Sequence, residues 1–297
     1  MALFGRAVWL ARGDPFAAAF GLLARFAPTE IRVKNPKLCR ACAVMCGQGG
    51  ACVDCGECFD RAAPAERELN LRPFGAGLLR TGDVSLSMVG FVLLLLSTVT
   101  FDGFTATPAW AGLESRLYAA LAGLGGLRLT VISTLGLVGF PVAFSLVYTL
   151  FAAWMARAAG DELSTGTVAR IFVLSLVPIA IAYHLAHYLT YLLIQGQLAI
   201  RLASDPLGIG WNLLGTARYR PDVGIVGARF ASYTAVIAIV LGHIIAVCVA
   251  HVIALREFSA QRPAIRSQFP MLVLMVGYTI VSLWIIAQPI VETSPTG

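Results

Sequence analysis

Charge nearly vanishes from long stretches of this chain after Asp83, and that feature most constrains what it can fold into. Up to Asp83, Arg, Lys, Asp and Glu recur every few residues. Beyond it lie five apolar stretches: Ser85–Phe101, Leu127–Met155, Val168–Leu198, Phe230–Leu255 and Met271–Ile290. A helix that crosses a bilayer needs about 20 such residues, and these stretches approach or exceed that length. Charged residues make up 13% of the 297, and the mean hydropathy is +0.79. Soluble domains carry about a quarter charged residues, so a soluble globular enzyme is excluded. Disorder is excluded too, because it requires low hydrophobicity and high charge. The expected fold is an all-α integral membrane protein. A bundle of about five transmembrane helices over residues 85–297 follows a small cytoplasmic N-terminal domain, residues 1–84.

Pro141 and Pro178 predict kinks in the second and third spans, because proline removes a backbone donor and crowds the preceding turn. Pro15–Phe26 is too short to cross. Phe16, Phe20, Leu23 and Ala24 share one face of it, between Arg12 and Arg25. Two readings stand: a helix lying on the membrane surface, or one packed on the protein's own body. The loop Asp102–Gly126, with Trp110 and Tyr118, is expected at the opposite interface.

Met1–Leu10 does not read as a signal peptide, because Arg6 and Arg12 interrupt any apolar core. With the N-terminus inside, the inside segments hold sixteen Lys and Arg residues and the outside loops six. That bias favours a cytoplasmic N-terminus, an exported C-terminus and a bacterial inner membrane. The net charge of +6 is thus first a topology signal, and no nucleic-acid partner is expected.

Six cysteines fall within twenty residues: Cys39, Cys42, Cys46, Cys52, Cys55 and Cys58. On a cytoplasmic segment thiols stay reduced, so metal binding is the expected role. The pairs Cys39-x2-Cys42 and Cys55-x2-Cys58 have the spacing of a tetrahedral zinc site. Cys52-x2-Cys55-x2-Cys58 matches three ligands of an iron–sulfur run, but the fourth position is Ala62. Zinc and an iron–sulfur cluster both stay open, with a fold-stapling role in a core-poor domain. Cys248, alone in the fourth span, reads as a packing residue.

All four histidines lie in predicted spans: His184 and His187 in the third, His243 and His251 in the fourth. Ionisable groups at membrane depth are costly and mark functional sites. His184, His187, Tyr188, Tyr191 and Gln195 form one helical stripe. Counted from Arg170 and Arg256, His184 and His243 are each roughly 20 Å deep on antiparallel spans, and His251 is roughly 12 Å nearer the cytoplasm than His243. His184, His187 and His243 are candidate ligands for zinc, copper or iron, with His251 as a further metal contact. Alternatively His184 and His243 ligate a b-type haem between helices. A third account has the histidines bonding their own neighbours and joining helices.

Several stretches act as a set: Asp14-Pro15-Phe16, Gly21 to Pro28, Leu71-Arg72-Pro73-Phe74-Gly75-Ala76-Gly77-Leu78-Leu79, Phe101-Asp102-Gly103-Phe104 and His184-Leu185-Ala186-His187-Tyr188. Together they resemble bacterial multispan membrane proteins known as fenitrothion hydrolase components. The resemblance covers most of the chain and implies a membrane-bound hydrolase of organophosphorus triesters. Such relatives carry further spans before the position of Asp14, which raises the expectation of a membrane partner subunit. In a metal-dependent hydrolase, an ion at His184, His187 and His243 lowers the pKa of bound water, and Tyr188, Tyr191 and Gln195 line the approach as candidate catalytic residues. Two other functions remain: an electron-transfer subunit with an iron–sulfur cluster and haem b, and a metal permease or assembly factor.

Overall fold

The computed structural model describes residues 5, 9, 14–35, 37–38, 47–48, 51–81 and 84–288. Cys39, Cys42, Cys46 and the last two residues of the expected fifth span lie outside them. Helix α1 (Pro15–Phe26) starts where Asp14 caps it, accepting a hydrogen bond from the Phe16 amide at 2.9 Å, with proline at the first helical position. Four antiparallel strands follow: β1 (Thr29–Val33), β2 (Gly47–Gln48), β3 (Ala51–Val53) and β4 (Arg67–Leu71), in spatial order β2-β3-β1-β4. The short helix α2 (Gly56–Arg61) connects β3 to β4. The all-α expectation therefore holds for the spans and is corrected in the N-terminal region. Glu30-Ile31-Arg32-Val33 pairs in register with Arg67-Glu68-Leu69-Asn70. The pleat sends Val33 into a small core with Cys52, Cys58 and Ala62.

The five long apolar helices are present. They are α3 (Leu86–Thr105), α5 (Arg128–Ala158), the pair α6 (Thr165–Val173) and α7 (Val177–Gln195), α9 (Ala228–Glu257) and α10 (Gln261–Ala287). A bilayer environment follows from their length and composition. The third span is mostly buried over its most apolar window and the second mostly exposed. The Pro178 kink takes the form of a 3-10 turn at Leu174–Leu176 between α6 and α7. At Pro141 the helix α5 runs on unbroken.

Between α3 and α5, helix α4 (Pro108–Ala120) replaces the expected open loop. Trp110 is buried there, edge-on to Phe101 at 5.3 Å and Phe104 at 5.9 Å. Tyr118 does stay exposed, under the Arg128 guanidinium at 4.4 Å. After α7, helix α8 (Leu198–Ser204) leads into a loop tied down by buried Gln197, whose amide bonds Tyr219 and the Asp222 backbone.

The chain forms two compact units. The first comprises Met1–Val92, Tyr148–Pro178 and Ile245–Leu272, and the second Leu93–Val147, Ile179–Ile244 and Val273–Gly297. Within the first, Arg72 is the central charge. Its guanidinium reaches Glu30 at 3.1 Å, Asp54 at 2.7 Å and the Ala24 and Ala27 carbonyls of the α1 end, while Arg80 also binds Asp54 at 2.7 Å. Two cations and two carboxylates thus balance in a largely buried cluster. Burial works to raise the Glu30 pKa, but hydrogen bonds and charge from Arg32 and Arg72 outweigh it and hold the carboxyl below its ordinary value.

Candidate functional site

The second unit contains three of the four histidines, and an aspartate organises the most polar part of it. Asp102, near the end of α3, accepts two hydrogen bonds on one carboxylate oxygen: from His187 Nε2 at 2.9 Å and from Tyr188 Oη at 2.8 Å. A carboxylate only accepts, so Nε2 carries a proton in this bond. The Asp102 side chain is half exposed and that of His187 is mostly covered. The centre therefore has one accessible edge and one packed edge.

Local sequence explains the meeting. His187 and Tyr188 are adjacent on α7 and flank one side of the helix. Their rings stand edge-to-face, 4.7 Å apart. Tyr183, one turn earlier, places its ring 6.3 Å from His187 and 6.0 Å from Tyr278 of α10. Gly103 lets α3 approach. A Cβ there would lie 2.9 Å from Ile285 Cγ2, 3.3 Å from Tyr183 Oη and 3.5 Å from His187 Cε1. Tyr278 shares a hydrogen bond of 2.9 Å with Thr100, one turn before Phe104 on α3.

The other expected residues divide. His184 and His243 both direct Nδ1 to the carbonyl four residues earlier, Ala180 and Ile239, each at 2.8 Å. In each, Nε2 is the remaining nitrogen, the arrangement that ligating histidines use. His243 Nε2 is buried without a hydrogen-bond partner among the described residues. Yet the Tyr278 ring stands beside His243 at 6.3 Å and the Tyr188 ring beside His184 at 6.0 Å, so phenols fill the ground next to both rings. Among the described residues no three His, Cys, Asp or Glu side chains converge as a metal site. His184, His187 and His243 therefore do not form the three-ligand centre expected from their depth. Tyr188 belongs to the site through Asp102, whereas Tyr191 and Gln195 point away and are exposed. His251 Nδ1 bonds Gln268 at 2.7 Å on an exposed surface of the first unit.

Asp102 is the residue that sequence reasoning missed. It stands in Phe101-Asp102-Gly103-Phe104 just past the expected end of the first span, where an acid reads as a loop residue. Helix α3 continues to Thr105. The available signal was a lone acid beside a glycine at a span end, with a His-Tyr pair on another span.

In the N-terminal segment Cys52 is disulfide-bonded, and Cys55 and Cys58 are thiols at the start of α2. A disulfide sulfur is not a thiolate ligand, so the iron–sulfur run that uses Cys52 requires it to be reduced, whereas a zinc site on Cys39, Cys42, Cys55 and Cys58 does not involve it.

Comparison of the chain with protein-family models, curated proteins and solved structures gives no match.

Proposed function

We propose that the protein is a membrane-embedded hydrolase of apolar esters whose base is His187. The observation that supports it most is the pair of hydrogen bonds that Asp102 accepts from His187 Nε2 and Tyr188 Oη, which leaves Nδ1 as the nitrogen to act as base in this reading. In this reading His187 Nδ1 takes a proton from water as the water oxygen bonds to the electrophilic centre. The bond to the leaving oxygen breaks, that oxygen keeps the electron pair, and the proton is then released to solvent. Asp102 stabilises the imidazolium, and Tyr188 holds Asp102 in place. An aryl leaving group needs no acid, which suits an organophosphorus triester, the class that the family resemblance implies.

The proposed location is a bacterial inner membrane, N-terminus inside. In support, the first unit carries sixteen of the Lys and Arg residues and the second six. Purified protein should release phenolate from a chromogenic aryl phosphotriester, and His187→Ala should lose at least tenfold in turnover. Equal turnover by His187→Ala, or none by the wild type on aryl phosphate and carboxylate esters, overturns the reading.

A second reading is haem ligation by His184 and His243 in an electron-transfer subunit, favoured by their matched Nδ1 bonds. It requires Tyr278 and Tyr188 to move aside, and a Soret band in the purified protein decides it. Zinc at Cys39, Cys42, Cys55 and Cys58, or an iron–sulfur cluster once Cys52 is reduced, is proposed at the cysteines, with elemental analysis as its test.

A further inference from the structure

We propose that α1 and the turn Pro73–Leu79 form a lipid-embedded element, with Phe16, Phe20, Leu23 and Phe74 set among acyl chains. The proposal is independent of the chemistry at Asp102. Helix α1 turns Leu22 inward and its bulkier apolar groups outward. Phe16 is 72% exposed, Phe20 65% and Phe74 58%. Phe26 and Phe74 pack at 5.6 Å, joining helix and turn into one surface. Sequence alone left open whether this face meets the protein or the membrane. Among the described residues none covers it.

Depth supplies the occupant. A Cβ at Gly75 would lie 3.3 Å from Ile245 Cγ2 and 3.6 Å from Val249 Cγ2, both on α9. The nearest charges on that helix are Arg256 and Glu257 at its end. Val249 and Ile245 therefore sit about 10 and 17 Å inside the charged boundary. Thr81 bonds Glu257, so six residues after Gly75 the chain is back at the charged end. The segment dips into the membrane zone and returns. Val247 and Cys248 beside the contact are exposed on α9, so the aromatic face continues a lipid-facing flank.

The dip satisfies the rules for irregular backbone at membrane depth, where polar groups must find protein partners. Gly75 N–H donates to the Phe26 carbonyl at 2.9 Å, Ala76 N–H to Pro73 and Leu78 N–H to Gly75. Of the charges that accompany it, Arg72 and Arg80 pair with Glu30 and Asp54, and Arg25 of α1 donates to the Arg80 carbonyl at 3.1 Å, the partnering that charges in a membrane environment need.

The test places the photo-crosslinker p-benzoylphenylalanine at Phe20 in the full chain, reconstituted in phosphatidylcholine–phosphatidylglycerol vesicles. Position Phe20 should give several-fold more lipid adduct than Glu57, an exposed residue of α2. Phe16 and Phe74 read the same surface if incorporation at Phe20 prevents folding. Lipid adduct no higher than at Glu57, or an adduct to a second copy of the chain instead, overturns the proposal.

Discussion

Gly103→Ala separates the geometry of the Asp102–His187 centre from the stability of the bundle. The new Cβ would lie 2.9 Å from Ile285 Cγ2, 3.3 Å from Tyr183 Oη and 3.5 Å from His187 Cε1. Carbon atoms rest at about 3.5–4.0 Å, so α3 or its neighbours must give by roughly 0.6 Å or more. Overpacking of this kind costs about 1–3 kcal/mol. Alanine in place of glycine in a helix returns about 1 kcal/mol. The net loss of stability is then at most about 2 kcal/mol, and the protein folds. The bond from His187 to Asp102 is 2.9 Å long and has little slack, since hydrogen bonds fade beyond about 3.2 Å. A displacement near 1 Å at a reacting group costs up to about a hundredfold in rate, so turnover should drop by about 10- to 100-fold. Turnover of the chromogenic ester and thermal unfolding in the same detergent measure the two effects side by side. Turnover within twofold of wild type, with the melting temperature lowered, would refute the argument that this contact sets the geometry of the centre.

Two further outcomes concern the N-terminal unit. Arg72→Met leaves Glu30 and Asp54 with less compensation in a buried cluster and should cost about 3–5 kcal/mol, read as earlier unfolding or faster proteolysis of residues 14–81. The Glu30 pKa is held below its ordinary value, so its share of stability is fully present above about pH 4.3 and is lost as pH falls through the lower folded value; Glu30→Gln should flatten that acid-side loss in a pH series of melting curves.

The spans were legible because a bilayer demands runs of apolar residues, and Leu86–Thr105 to Gln261–Ala287 answer that demand directly. Their ends were less legible. Asp102 is charged and so looked like the start of a loop, but its bonds to His187 and Tyr188 let α3 carry it one turn further. The β-sheet escaped notice because β2 and β3 are two and three residues long, and Leu69 and Leu71 of edge strand β4 alternate with polar residues on an exposed face. Which way each histidine ring turns depends on backbone carbonyls and on Tyr278, a residue on a different span that no spacing argument connects to His243. The outward face of α1 was visible as a face, and the contact of Gly75 with α9 supports the proposal that it meets lipid.

The central claim is that Asp102 and His187 act as one base, and a double-mutant cycle on turnover of a chromogenic aryl phosphotriester tests it most directly. Asp102→Asn and His187→Ala should each lower turnover at least tenfold, and the double variant should be little worse than His187→Ala alone, as for residues that work as a unit. Independent, multiplicative losses, or full turnover with Asp102→Asn, would contradict it.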